Sequence, residues 1–295
     1  MTIVEGAVLT LRATGAVARR QAVSRASRWV FLAASLLGVF VLLYLAYDTI
    51  ATGASRLSID FLTSYPSRFA ERAGLRSSVL GSVWVMGTTV LLAFPVAIGT
   101  AVWIEEFAPR NYLVTIVKLN LANLAGVPSI IYGILGLAIF VRFLDLGPSI
   151  LAGALTLSLM IIPMTVIAAQ EAIRQVPQST RDGSLALGAT KWQTVWSHVL
   201  PQALPGIMTG VILAVSRAAG ETAALIMIGA FTFIAFDNTN LFDDFTTVPI
   251  QIYNWTIRPQ PEFRDNAAAA IIVLMVAVLI LNLLAAVIRE RFRRD

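Results

Sequence analysis

The sequence predicts an all-α integral membrane protein with six spans. Three observations support that class. Of 295 residues, 57% are hydrophobic and 13% charged, and the mean hydropathy is +0.78; soluble domains rarely exceed about half apolar residues. Several uncharged runs approach the roughly 20 residues that a helix needs to cross a bilayer. The charges that remain cluster at the ends of those runs, with arginines gathered at both termini.

Residues 1–28 form a basic segment with Arg12, Arg19, Arg20, Arg25 and Arg28. The uncharged run 29–47 follows and is expected to be a retained first helix, since it is longer than a signal-peptide core and lacks an A-x-A site. Residues 48–76 are polar and mixed in charge, which fits a loop. The second span is 77–104, with Pro95 expected to kink it, Trp103 at its interfacial end, and Glu105 and Glu106 closing it. Residues 112–123 are mixed and expected along the interface. The third span is expected at 126–141, the fourth at 146–169 with Pro163 near its end, the fifth at 206–235 and the sixth at 267–288. A basic tail, 289–295, follows. Spans two to six make one membrane domain, 75–288.

Lys and Arg set orientation. With the N-terminus inside, roughly twice as many of them fall on the inner side as on the outer, so both termini and the loop between spans four and five are expected to be cytoplasmic. The net charge of +5 therefore reports membrane topology rather than nucleic-acid binding. Cysteine is absent and histidine occurs once, which excludes a disulfide framework, thiolate metal sites and a His-rich centre.

Two stretches carry chemistry. The loop between spans four and five predicts two short helices. One ends near Leu187, with Gly188 in the left-handed conformation that closes a helix. The other runs over 191–199, capped by Thr190 and stopped by Pro201, with Trp192, Val195, Trp196 and Val199 on one face. An aromatic stripe on such a helix suits a partner's groove, or packs on its own bundle. The spacing Gly183-x4-Gly188 is not a phosphate-cradling loop, because Ala189 and Thr190 stand where Lys and Ser/Thr are required. The second stretch is the fifth span, which places Arg217 and Glu221 within about 6 Å of its midpoint at a rise of about 1.5 Å per residue. Four residues apart on one helix, they share a face and can pair. Gly220 permits close approach, and Ser216 and Thr222 add hydroxyls. Intramembrane charges mark ion pathways or lock helices together, and a guanidinium matches an oxyanion bidentately. Gly206 and Gly210 have the spacing of a close helix contact, and Asn282 that of an interhelical hydrogen bond. Asp237, Asp243 and Asp244 mark an acidic external loop. There is no HExxH and no nucleophile–base set, so the chain is not expected to be an enzyme.

The pattern D-G-S-x3-G-x9-H-x-L-P over Asp182, Gly183, Ser184, Gly188, His198, Leu200 and Pro201 resembles the E-A-A-x3-G-x9-I-x-L-P signature of ABC importer permeases. SRAAGETAALI, at 216–226, resembles the R-A-x-G-E-T segment of phosphate importer permeases. GVPSIIYGILG and IEEFAP resemble their third-span motif and the segment after their second span. The likeness covers about residues 75–290 and is nearest the PstA-type subunit. It implies the six-span type I importer fold, with the loop as a coupling helix against an ATPase. It implies Arg217 and Glu221, with Ser216, Gly220 and Thr222, in phosphate passage, and Asp182, Gly183, Ser184, Gly188, Trp192, Leu200 and Pro201 in ATPase coupling. The implied partners are a PstC-type second permease, a PstB-type ATPase dimer holding ATP and Mg, and a periplasmic or lipid-anchored PstS-type phosphate-binding protein, in a bacterial plasma membrane. Sulfate, molybdate or phosphonate are the alternative cargoes. An ion-coupled secondary transporter would need inverted repeats, which the sequence lacks.

Overall fold

A computed structural model describes residues 15–230 and 233–294. The start of the predicted basic segment (1–14), two positions within the predicted fifth span (231 and 232) and the last residue of the tail lie outside the described residues. The chain divides into two compact units, Met1–Ala51 and Thr52–Asp295. Described residues of the first unit form most of helix α1, Ala16–Gly53. Its apolar stretch is exposed almost throughout, from Trp29 to Tyr47, as suits a helix whose solvent is lipid.

The second unit begins with a short helix, α2 (Ile59–Thr63), capped by Ser58. Helix α3 (Arg76–Val102) follows and continues through a π turn, Trp103–Phe107. Next come α4 (Tyr112–Ala125) and α5 (Ser129–Gly136), the latter extended by a π turn, Leu137–Phe143. Helix α6 (Ile150–Arg174) leads into α7 (Gln178–Ala186) and α8 (Lys191–Thr194). The chain ends with α9 (Leu200–Ala219), α10 (Ala223–Met227), α11 (Val248–Thr256) and α12 (Glu262–Arg294). Pro95 and Pro163 both lie inside helices that continue past them.

Helix α6 is the core of this unit. Ile150, Leu157, Ile161 and Ile173 on it are fully buried, with α3 and α9 packed against it. Helices α3 and α6 run parallel, since Thr89 faces Ala154 and Glu105 faces Arg174. Two parallel spans joined by a single connection require the chain to cross back between them, and that connection is α4–α5. The third crossing is therefore a helix pair bent by 103°, Tyr112–Ala125 with Ser129–Phe143, rather than the straight span expected over 126–141. Pro128, in an extended conformation, breaks the helix because proline has no N–H to donate and restricts its predecessor. The Tyr132 hydroxyl then ties the two arms by donating to the Leu124 carbonyl at 2.8 Å. With the five helices long and apolar enough to cross a membrane, this makes six candidate crossings among the described residues.

The bundle has a loop end, where α3 and α6 finish and α7 lies, and a far end. At the far end Arg76 Nε donates to Asp237 at 2.8 Å and the Tyr65 hydroxyl donates to it at 3.1 Å. Those bonds, Arg76 first, hold the Asp237 carboxyl below the usual carboxylate range. A carboxyl depressed on folding contributes above its unfolded pKa, near 4, and loses that contribution as pH falls through its lower folded value. The acidic loop is thus expected to stay ordered at neutral pH and to loosen below about pH 4. Amide exchange over residues 233–247, corrected for intrinsic rates, checks this; equal protection at pH 3 and pH 7 would contradict it.

Candidate functional site

The loop end is built by local chemistry that the sequence announces. Helix α7 closes at Gly188, whose φ of +85° is costly for any residue with a Cβ. Thr190 caps α8 in a capping box with Gln193, as its spacing predicts. Asp182 lies on the exposed side of α7 and accepts a hydrogen bond from Gln178 at 3.0 Å. Gly183 is exposed with open space around it. Ser184 points inward, 7% exposed, and its hydroxyl meets that of Thr194 at 2.9 Å. Leu187, at the tip, is 90% exposed; its sequence context gives no sign of this.

Pro201 does not stop the second helix. Lys191–Ala219 is one continuous helix of 29 residues, so the fifth crossing begins at the loop rather than at 206. The reason is the π turn Val195–Val199. There the Leu200 N–H reaches back five residues to the Val195 carbonyl, and this wider turn makes room for the proline ring at the next position. The same turn divides the expected stripe. Val195 and Val199 are buried, whereas Trp192 and Trp196 are exposed and stacked at 6.0 Å, with Phe107 beside Trp192. Leu200 is half-buried and Pro201 exposed.

In the sequence Glu105 and Glu106 mark the end of a span, within the IEEFAP segment that resembles the family's. They are the anchors of the loop. Glu105 accepts from Lys118 at 3.0 Å, from Gln170 at 2.9 Å and from Arg174 at 2.9 Å. Glu106 accepts from Arg181 at 2.7 Å. These partners lie 13 to 75 residues away in sequence, beyond the reach of any local pattern.

The far end of the α8–α9 rod carries the buried-charge motif, with a different geometry from the one expected. Helix α9 ends at Ala219 and the chain restarts as α10 at Ala223. Arg217 thus sits in the last turn of one helix and Glu221 in the break, so they do not share a helix face. The break is imposed by packing. Gly133 of α5 lets α10 approach so closely that a Cβ there would lie 2.7 Å from the Ala224 carbonyl oxygen. Glu221 accepts the Ala224 N–H at 3.3 Å. Arg217 is exposed and touches Met164 Sδ at 3.8 Å; among the described residues no carboxylate pairs with it. Ser216 is 2.6 Å from Asn282 of α12, the interhelical bond expected of Asn282. Gly220 is exposed and Thr222 half-buried in the break.

Depth survives the change in geometry. Met164 stands about 15 Å from the loop end of α6 and about 21 Å from its start at 1.5 Å per residue, so the guanidinium lies near the middle of the bundle. A cation in the last turn complements the helix dipole, and irregular backbone at such depth is found where it lines a cavity or is buried in protein. Gly206 packs on Ala172 and Gly210 on Ala168, the close contact expected of their spacing, and this seats α9 on α6.

Comparison with known proteins agrees with this architecture. Residues 110–294 match the family of binding-protein-dependent transport system inner membrane components. The chain is 34% identical over 268 residues to the probable ABC transporter permease protein YqgI of Bacillus subtilis, covering 86% of this chain and 88% of that one. It is 28% identical over 260 residues to the phosphate transport system permease protein PstA of Yersinia pestis, covering 87% and 86%. Among solved structures, a chain of a bacterial alginate ABC transporter superposes with a TM-score of 0.65 at 17% identity, covering 90% of this chain and 95% of that one. The family match over most of the chain and the kinship with ABC transporter permeases lead to one assignment: this protein belongs to the inner-membrane permease components of binding-protein-dependent ABC importers.

Proposed function

We propose that this chain forms half of the translocation pathway of an ATP-driven phosphate importer. The observation that carries the reading is Arg217, an exposed guanidinium at mid-depth with no carboxylate partner among the described residues. A lone cation there costs roughly 2.5–3.5 kcal/mol even on permissive insertion scales, and a crossing oxyanion offsets that cost with bidentate hydrogen bonds. Kinship with PstA proteins favours phosphate among the oxyanions.

In this reading both termini and α7 face the cytoplasm of a bacterial plasma membrane. A homologous PstC-type permease completes the pathway, and a PstS-type binding protein delivers cargo at the far end. A PstB-type ATPase dimer, holding ATP and Mg, meets Asp182, Gly183, Leu187, Gly188 and Trp192 at the loop end. Ser184 acts from within, fixing α7 to α8, while Leu200 and Pro201 continue the loop into α9. Loop displacement travels along the rod, in which Arg217 lies about 39 Å from Lys191 at 1.5 Å per residue. Glu221, Gly220 and Thr222 shape the break beside the guanidinium, and Ser216 fixes its helix to α12. The cargo itself passes without covalent chemistry.

Uptake of labelled phosphate by the complex reconstituted in vesicles tests the substrate. ATP-dependent accumulation that excess sulfate or molybdate does not suppress is expected. Accumulation of sulfate or molybdate in preference to phosphate would transfer the proposal to that oxyanion.

A further inference from the structure

We infer that the largely buried pair Glu106–Arg181 is the joint through which α7 moves α3 and α6, making both side chains positioning residues for energy coupling. This rests on the importer reading above. Arg181 is the fourth residue of α7 and folds back onto two other elements. Its Nη2 and Nε donate to Glu106 Oε1 at 2.7 and 3.1 Å, Nη1 donates to the Val176 carbonyl at 2.6 Å, and Nη2 also reaches the Ile173 carbonyl at 3.0 Å. Ile173 lies in the last turn of α6, where backbone acceptors lack helical partners, and Val176 stands two residues beyond its end. Glu106 belongs to the π turn that ends α3. One guanidinium therefore bolts three elements together.

Burial distinguishes this pair from its neighbours. The Arg181 and Glu106 side chains are 14% and 7% exposed, whereas Lys118 and Arg174, which hold Glu105, are 36% and 45% exposed. A buried ion pair adds little net stability over apolar packing, because desolvation offsets its attraction. What it supplies is fixed geometry, through the planar fork of the guanidinium. A cleft of about 510 Å³, lined by Glu105, Arg110, Ile173, Gln178, Leu185 and Lys191 among others, opens beside the pair, and the Arg181–Glu106 bonds cross from α7 to the end of α3. On its other side α7 is held to α8 by Ser184 and Thr194. A push on the exposed Asp182–Leu187 surface thus reaches α3 and α6 through Arg181 and the α9 rod through Ser184.

The test uses the complete transporter in vesicles, reading transport, ATP hydrolysis and co-purification of the ATPase. Glu106→Gln keeps a hydrogen-bond acceptor and removes the charge. It is expected to assemble normally, to retain basal hydrolysis and to lower transport per ATP about tenfold, within the range of intersite coupling. Arg181→Gln is expected to do the same, and the double variant to be no worse than either alone. A wild-type transport-to-ATP ratio, equal losses of transport and hydrolysis, or multiplied losses in the double variant would overturn the inference. Where Glu106→Gln does not assemble, Glu106→Asp is read in the same way, since it keeps the charge but withdraws it by one methylene; a reduced ratio supports the joint and a wild-type ratio overturns it. Stimulation of hydrolysis by the binding protein reports coupling whatever the cargo. A wild-type complex that shows it without phosphate uptake would defeat the substrate proposal and leave this one standing.

Discussion

Replacing Arg217 with leucine is expected to reduce oxyanion uptake at least about 30-fold, the equivalent of losing a charge-assisted hydrogen bond of about 2 kcal/mol. Assembly should be preserved, because among the described residues the guanidinium makes no ion pair and its contact with the Met164 sulfur is a long one. Arg217→Lys should recover part of the loss, since an ammonium keeps the charge without the bidentate fork. Uptake measured beside size-exclusion profiles of the complex separates the two effects. Wild-type uptake by a well-assembled Arg217→Leu transporter would remove the anion site.

The second large effect is structural. Gly210 of α9 lies so close to α6 that even a single added carbon would collide with Ala168. Four residues earlier a carbon on Gly206 would come within 2.7 Å of the Ala172 Cβ. Helices in membranes associate largely by such close packing, so Gly210→Ile must push α9 away from α6. The expected cost is about 3 kcal/mol, at the upper end for overpacked cores, with loss of transport because the rod no longer moves with the bundle. Thermal unfolding of the purified complex measures it. An unchanged transition would mean that α6 and α9 are not in contact at this point.

These effects sort the fold into what the residues declare locally and what only packing decides. The apolar runs, the Gly188 turn and the Thr190 cap were legible because each depends on residues within a few positions. The extent of the fifth crossing was not. Its apolar pattern continues through residue 235, but the helix ends at Ala219, because α10 must turn to meet α5 at Gly133. Pro201 reads as a stop in isolation; the π turn before it has no sequence signal of its own. The bend at Pro128 has a local cause, whereas its role as a crossing follows only from the parallel run of α3 and α6. The depth of Arg217 was predicted on a helix geometry that does not hold, and it is carried instead by contact with the middle of α6.

The most direct test of an aqueous oxyanion path beside Arg217 uses the absence of cysteine from the chain. Gly220→Cys places a unique thiol in the break. It fits without strain, since the nearest atom to its Cβ would be the Arg217 carbonyl oxygen at 3.9 Å. In a transporter with cysteine-free partners, a charged, membrane-impermeant thiosulfonate should label this thiol, and phosphate should slow the labelling while chloride at equal ionic strength does not. A thiol that stays unreactive in every transport state, or labelling indifferent to phosphate, would contradict the account.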